Sequence, residues 1–338
     1  MPDVRPPSAP GVPGRGLRRW LAGAVLPLVL ACTAVATAQT AYPGKPIRLL
    51  VGYPPGGATD IAARIVAQKL TERLGQPVFV DNLPGAGGII ASDKVAKAAP
   101  DGYTLVLANT AHGINPSLYK ELPYDAMTSF APVIKLADLT LVLVVNPALP
   151  VRSVGELVAL AKARPGELHY ASSGVGQSLH LAGEMFKSMA GVDIVHVPYK
   201  GSAPARTDLL AGQVEMMFES AIGVVPFVQG GRLRALGVSG ARRSPALPEV
   251  PTLSEAGVPG FEASGWLGIL APAGTPVAIV RRLNAEVSAV LGLPDVNAQL
   301  AGSGAEVATA SPEQFASFIA DEIAKWAKTV RATGLKGE

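Results

Sequence analysis

The feature that most constrains this chain is an alternation, from Pro46 onward, of short apolar runs, glycine-rich breaks and stretches of helical spacing. Residues 47–52 read as a strand that Pro54-Pro55-Gly56-Gly57 breaks at once. Thr59 or Asp60 then caps a helix running toward Leu74, and Gly75 stands where a C-cap belongs. Residues 77–80 make a second strand, 82–88 a loop, 89–98 a short helix and 103–108 a third strand. Strand, glycine loop, helix, strand is the βαβ pattern of a parallel sheet.

The pattern then starts again. Residues 139–145 are apolar and rich in β-branched side chains, as suits a strand buried on both faces. Ser153 caps the next helix, with Glu156 placed for a capping box. A strand at 168–171, a loop at 172–176, a helix at 178–190 and a strand at 194–197 form a second βαβ unit. A helix end at 208–212 and strands at 214–218 and 233–238 extend it. Residues 260–270 look like a return strand, followed by a helix from Pro276 through Leu291 and a last helix from Pro312 through Val330. The predicted fold is therefore α/β, with two lobes in succession. A chain of 338 residues is long enough for both.

Composition narrows the function. With 49% hydrophobic and 16% charged residues the chain is globular, and 5% aromatics argue against a stacking surface for nucleic acid or sugars. The start of the chain reads as an export signal spanning residues 1–38. Arg15, Arg18 and Arg19 precede an apolar run at 21–30, and Ala36 and Ala38 have the spacing that signal peptidase accepts. The apolar run is short for a membrane span, which needs roughly 20 residues. Four of the 29 basic residues and one of the 26 acidic residues precede Gln39, so the mature chain has 25 of each and a formal net charge of zero. No basic excess remains to attract nucleic acid or anionic lipid. The sole cysteine, Cys32, also lies in the leader. Val29-Leu30-Ala31-Cys32 loosely resembles a lipobox, but cleavage after Ala38 is favoured over lipidation, and it leaves a mature protein without thiol or disulfide.

Ligands of open α/β sheets bind beyond the carboxyl ends of strands. Four loops leave such ends: 53–60, 84–88, 109–112 and 172–176. Free N–H groups at helix starts suit a carboxylate, and glycine lets backbone approach it closely. Asp60 is expected to cap the helix or tie its loop, because a carboxylate repels an anion. Gly85-Ala86-Gly87-Gly88 fails the dinucleotide fingerprint, with Ile90 where the third glycine belongs, and no phosphate-loop lysine follows either glycine loop. Among the four histidines none forms an HExxH motif, and His180 and Glu184 share a helix face without a third ligand. Ser172 and Ser173 lie outside a nucleophile elbow, since Tyr170 takes the first glycine position. No catalytic group, metal site or cofactor is expected. Tyr199-Lys200-Gly201 is open to two readings, a cation or loop amide offered to an acid, or a surface turn.

Many ordered motifs resemble one family, the substrate-binding receptors of tripartite tricarboxylate transporters, also called the Bug family. They include Pro55-Gly56-Gly57 with Asp60 and Ala63-Arg64, Asn82 with Pro84-Gly85-Ala86-Gly87-Gly88, and Pro100-Asp101-Gly102-Tyr103-Thr104-Leu105. Asn115-Pro116, Val195-His196-Val197-Pro198-Tyr199-Lys200-Gly201 and Ala271-Pro272-Ala273-Gly274-Thr275-Pro276 continue the similarity across the mature chain. The resemblance implies a type II periplasmic-binding-protein fold, with residues 40–142 and 266–338 in lobe 1, 143–265 in lobe 2, and a ligand cleft between them. It implies a periplasmic, monomeric receptor that closes around a small carboxylate and delivers it to the transporter membrane subunits. Mapped residue by residue, the implied ligand contacts are Thr59, Asp60, Ala86, Gly87, Asn109, Ser172, Ser173, Gly176 and Tyr199, with Tyr53 shaping the pocket mouth. The candidate loops lack arginine, so a site of amides, hydroxyls and waters is expected rather than a bidentate clamp. The competing classes are an α/β hydrolase or isomerase acting on a carboxylate, and a ligand sensor for a signalling kinase.

Overall fold

The computed structural model describes residues 1–11 and 42–333. The expected arginines of the leader, its apolar run, Cys32 and the Ala36–Ala38 cleavage site fall outside the described residues. Residues 1–11 are exposed and carry no regular secondary structure. No described helix is long and apolar enough to cross a membrane.

The first sheet starts with β1 (Ile47–Val51), which pairs in parallel with both β2 (Val78–Asn82) and β3 (Thr104–Asn109). Three helices connect or follow these strands: α1 (Ala58–Leu74), α2 (Ile89–Ala96) and α3 (Ala111–Leu118). A 16-residue strand, β4 (Phe130–Val145), then leads out of this sheet. Beyond it lie α4 (Val154–Ala163), β5 (His169–Ser172), α5 (Ser178–Ala190), β6 (Val195–Pro198), α6 (Ser202–Leu210), β7 (Met216–Ser220), α7 (Ala221–Gln229) and β8 (Arg234–Val238). The chain returns through β9 (Ser264–Pro272) and finishes with α8 (Val277–Leu291), α9 (Pro294–Gly302), β10 (Ala305–Val307) and α10 (Pro312–Thr333).

Strand β4 belongs to both sheets. Over Phe130–Thr140 it pairs antiparallel with β9, and β10 adds to its other edge at Ala137–Leu139. Over Leu141–Val145 it pairs antiparallel with β7 on one side and β8 on the other. Beyond β7 the second sheet continues through β5 to β6, both pairings parallel. Leu141 to Val145 are each no more than 1% exposed, which is why this stretch reads as an unbroken apolar run instead of an alternating one.

Each sheet is covered on both faces. In the first, Leu49 packs with Val66 of α1 and Leu283 and Val287 of α8, while its neighbour Leu50 points to the opposite layer with Ile89, Val95 and Phe315. In the second, Met216 and Phe218 face Leu157 of α4 and Phe186 of α5, while Met217 faces Leu209 of α6 and Val224 of α7. This period of two sends successive strand residues into different cores. A smaller cluster links the halves: Leu181 of α5 packs with Ile114 and Leu118 of α3 and with Trp326 and Val330 of α10.

Several expectations need correction. Residues 109–112 are not a loop, because β3 ends at Asn109 and α3 begins at Ala111. Gly57 occupies the N-cap of α1, so Thr59 and Asp60 sit in the first turn instead of capping it. The return strand starts at Ser264, not at residue 260, and β7 runs two residues later than expected. Helices α3, α7 and α9 and strand β10 were not expected from the sequence.

Candidate ligand-binding site

The carboxyl ends of β1, β3, β5 and β7 open toward one cleft, and the helices that follow them begin at its wall. An inner chamber of about 50 Å³ is lined by Gly57, Ala58 and Thr59 at the start of α1, and by Ser178 and Leu179 at the start of α5. Thr110 and Ser220, which precede α3 and α7, and Ser202, the first residue of α6, complete the ring. Five helices thus start at this chamber; in none does the N-cap side chain accept from the helix, and in α3 alone Ala111 N donates to a neighbouring side chain, Asn109 Oδ1, at 3.1 Å. Their first N–H groups have no intrahelical acceptor, and each helix adds a partial positive charge of about half a unit at its N-terminus. The hydroxyls of Thr59, Ser173, Ser178 and Ser202 and the Asn109 amide add further polar groups to the wall. Such a site favours an anion with several acceptor oxygens.

Glu219 is the one charged side chain lining the inner chamber among the described residues. Its carboxylate is fully buried and accepts from Arg206 Nη1 at 2.9 Å. Burial pushes Glu219 above its ordinary value, against the pull of the Arg206 guanidinium. Arg206 Nη2 also donates to Gly56 O at 2.7 Å, which ties α6 to the β1–α1 loop. The loops contain no arginine, as expected, but α6 brings one up behind them. Its charge is taken up by Glu219 and a peptide carbonyl. The sequence reading missed both residues. The available signal was a carboxylate at the carboxyl end of an apolar run, Met216-Met217-Phe218-Glu219.

A second, outer chamber of about 650 Å³ shares Tyr53, Pro54 and Ser173 with the inner one. Its wall includes Ala86 and Gly87, and Ala86 is the one non-glycine residue with positive φ (45°) among those described. Gly85, Gly87 and Gly88 also have positive φ, so the segment turns through a left-handed run that β-branched or bulky side chains resist. The Tyr53 hydroxyl lies 3.1 Å from each of Gly87 O, Asn109 Oδ1 and Gln177 Oε1. Burial raises the Tyr53 hydroxyl well above its ordinary value, so it remains a donor. Tyr53 therefore joins β1, β3 and α5 at the junction of the chambers. This is a larger part than shaping the mouth.

The residues expected from the resemblance fall into two groups. Thr59, Asn109 and Ser173 line the inner chamber, and Ala86, Gly87, Ser173 and Tyr199 line the outer one. Asp60, Ser172 and Gly176 line neither and lie behind the wall. Asp60 accepts from Gly56 N at 2.9 Å, from Arg64 at 2.8 and 3.0 Å, and from Asn82 Nδ2 at 2.9 Å. Burial alone would raise its carboxyl, but the Arg64, Gly56 and Asn82 donors outweigh it and hold the group below its ordinary value. Asp60 thus ties its loop. Gly176 N donates to His180 Nδ1 at 2.8 Å, and a Cβ at this position would meet Leu118 Cδ2 at 2.1 Å. Its role is the close approach of two helices.

Ser172 Oγ lies 2.6 Å from His196 Nε2, and the His196 ring stacks on His180 at 3.8 Å between centroids. Burial, with a smaller contribution from the neighbouring His180, lowers His196 to about 3. Ser172 has no exposed surface. Tyr170 donates to Glu184 at 2.6 Å, so the His180–Glu184 face is filled by a tyrosine. Among the described residues no cluster of three or more His, Cys, Asp or Glu is placed to hold a metal.

Comparisons with known proteins agree with this architecture. The profile of the tripartite tricarboxylate transporter family receptor (TctC) matches residues 62–335. BugT of Bordetella pertussis is 42% identical over 317 residues, covering 93% of this chain and 97% of that protein. The solved structure of Rpa4515 of R. palustris with adipate superposes with a TM-score of 0.85 at 40% identity, covering 87% of this chain and 99% of the other. MatC (Rpa3494) of Rhodopseudomonas palustris with bound malate gives a TM-score of 0.80 at 33% identity, covering 86% and 100%. A cleft between two sheets joined by one shared strand, ringed by uncapped helix starts, accompanies similarity along nearly the whole chain: it belongs to the tripartite tricarboxylate transporter receptor family.

Proposed function

We propose that this chain is an exported, monomeric periplasmic receptor that closes around a small organic carboxylate and presents it to the membrane subunits of a tripartite transporter. The observation that carries this reading is the ring of five uncapped helix starts around the inner chamber. One carboxylate of the ligand sits in that ring, held by peptide N–H groups and hydroxyls. The relatives solved with adipate and malate support the same ligand class. Residues 1–38 act as the export signal. Residues 40–142 with 266–338 form one lobe and 143–265 the other, a division supported by the passage of β4 between sheets after Thr140 and the return of β9 at Ser264. Closure then bends β4 where it passes from one sheet to the other, and the ligand selects the closed form.

Among the described residues, the Ser172–His196 contact is the feature that points toward hydrolysis. Its serine is buried behind the wall, and its histidine stacks with Tyr170 and His180. The receptor reading therefore assigns it to packing. A thermal-shift screen over mono- and dicarboxylates tests the proposal. A ligand at a hundred times its Kd stabilises the fold by about 2.7 kcal/mol, and it is recovered unchanged after incubation. An unmoved Tm across the whole set, or a chemically altered ligand, contradicts it.

A further inference from the structure

The two chambers differ in size and chemistry, and that difference specifies the ligand further. The inner chamber, about 50 Å³, has room for only a few water-sized groups, which suits a carboxylate and little more. The outer chamber, about 650 Å³, is within the usual size for a small-molecule pocket. It continues from the inner one past Tyr53, Pro54 and Ser173. A ligand anchored by one carboxylate must therefore place the rest of its body outside. There Pro84, Ala86, Val175 and Pro198 offer an apolar wall.

Lys200 is the one charged side chain lining the outer chamber among the described residues. It is exposed and forms no ion pair within the described residues, whereas Tyr199 beside it is committed to Asp208 through a 2.7 Å hydrogen bond. Gly201, with φ of 129°, seats this turn against Pro54: a Cβ there would lie 2.7 Å from Pro54 Cδ. The turn that carries Lys200 is thus fixed at the point where the two sheets' loops meet.

Resting on the carboxylate reading of the inner chamber, we infer that Lys200 is a specificity residue for a second anionic group, so that the preferred ligand is an elongated dicarboxylate with an apolar middle. One carboxylate takes the helix ring, the methylene body crosses the outer chamber, and the distal carboxylate meets the Lys200 ammonium. Chain length becomes a selection criterion, because only a body long enough to leave the inner chamber brings its far end to the lysine.

Calorimetric titration of the full chain with succinate, adipate and suberate, each against the monocarboxylate of equal length (butyrate, hexanoate, octanoate), tests this. In wild type the longer diacids bind more tightly than the matching monoacids, and added salt narrows the gap. In Lys200→Gln the diacids weaken by about two- to fivefold, as for a solvent-screened ion pair. In Lys200→Glu, where attraction becomes repulsion, they weaken by roughly tenfold. The monoacids bind all three proteins alike. Equal loss for monoacids and diacids, or no loss for either, overturns the role of Lys200 while leaving the carboxylate reading intact. Failure of wild type to bind any member of either series overturns that reading and this inference together. Unchanged melting of both unliganded variants shows that any loss is local, as expected for an exposed side chain.

Discussion

Arg206 and Glu219 show how a single pair shapes this cleft. A buried carboxylate beside an anion site would oppose binding, and the guanidinium 2.9 Å away removes that opposition. Deleting one partner of a buried pair leaves the other uncompensated, which costs about 3–5 kcal/mol. Arg206→Met should therefore lower stability by that order in denaturant unfolding, and adding Glu219→Leu should recover much of it. An unchanged midpoint for the single variant would contradict the burial described. His112, His180 and His196 set a pH dependence of definite sign. Burial lowers His196 to about 3 and His112 to about 4, and it lowers His180 as well. Unfolded, each titrates near its ordinary 6.5, so the unfolded chain binds more protons below that pH. Their stabilising contribution is complete above about pH 6.5 and is lost as pH falls toward 4 and below. NMR should find the His196 ring neutral throughout pH 5–7; protonation near 6.5 would contradict its assigned environment.

At the scale of elements, α4 begins away from the cleft and is the case where sequence and structure agree most closely. Ser153 Oγ accepts from Glu156 N at 3.1 Å, while Glu156 reaches back to Arg152 N and not to Ser153 N. Ser153→Ala should cost about 1 kcal/mol of stability and leave ligand affinity unchanged. A change in affinity would mean that α4 takes part in closure. The alternating elements were legible because their apolar periods and glycine breaks are local signals. Helices α3 and α7 were not, since each contains a proline at its sixth position, Pro116 and Pro226. Gly113 made α3 still less visible, yet it is there for packing: a Cβ would lie 3.3 Å from Glu322 Cβ on α10. Tertiary contacts override helix propensity at such places. The site divided in the same way. Glycine and hydroxyl loops were readable as candidate cleft-lining segments, but nothing local distinguished Asp60, Ser172 and Gly176, which lie behind the wall, from Thr59, Asn109 and Ser173, which line it. Arg206 and Glu219 came together only through the pairing of a helix with a strand.

For the whole molecule, the passage of β4 through both sheets gives a natural axis for opening and closing. The facing loops touch at few points, among them Arg206 to Gly56 O, Tyr53 to Gln177, and Gly201 against Pro54. Gly201→Val places a branched side chain at φ 129° and directly against Pro54. It should weaken carboxylate binding by at least about tenfold, equivalent to about 1.4 kcal/mol, while each sheet keeps its own core. Wild-type affinity in this variant would show that closure does not bring these loops together.

The central claim is that helix starts and hydroxyls grip a carboxylate by its charge. Calorimetric titration of the full chain with hexanoate and with hexanamide, which matches it in shape but carries no charge, tests this most directly. The acid should bind more tightly by on the order of a hundredfold, since charge-assisted hydrogen bonds are about twice as strong as neutral ones and several act together. An amide that binds as well as the acid would contradict the account.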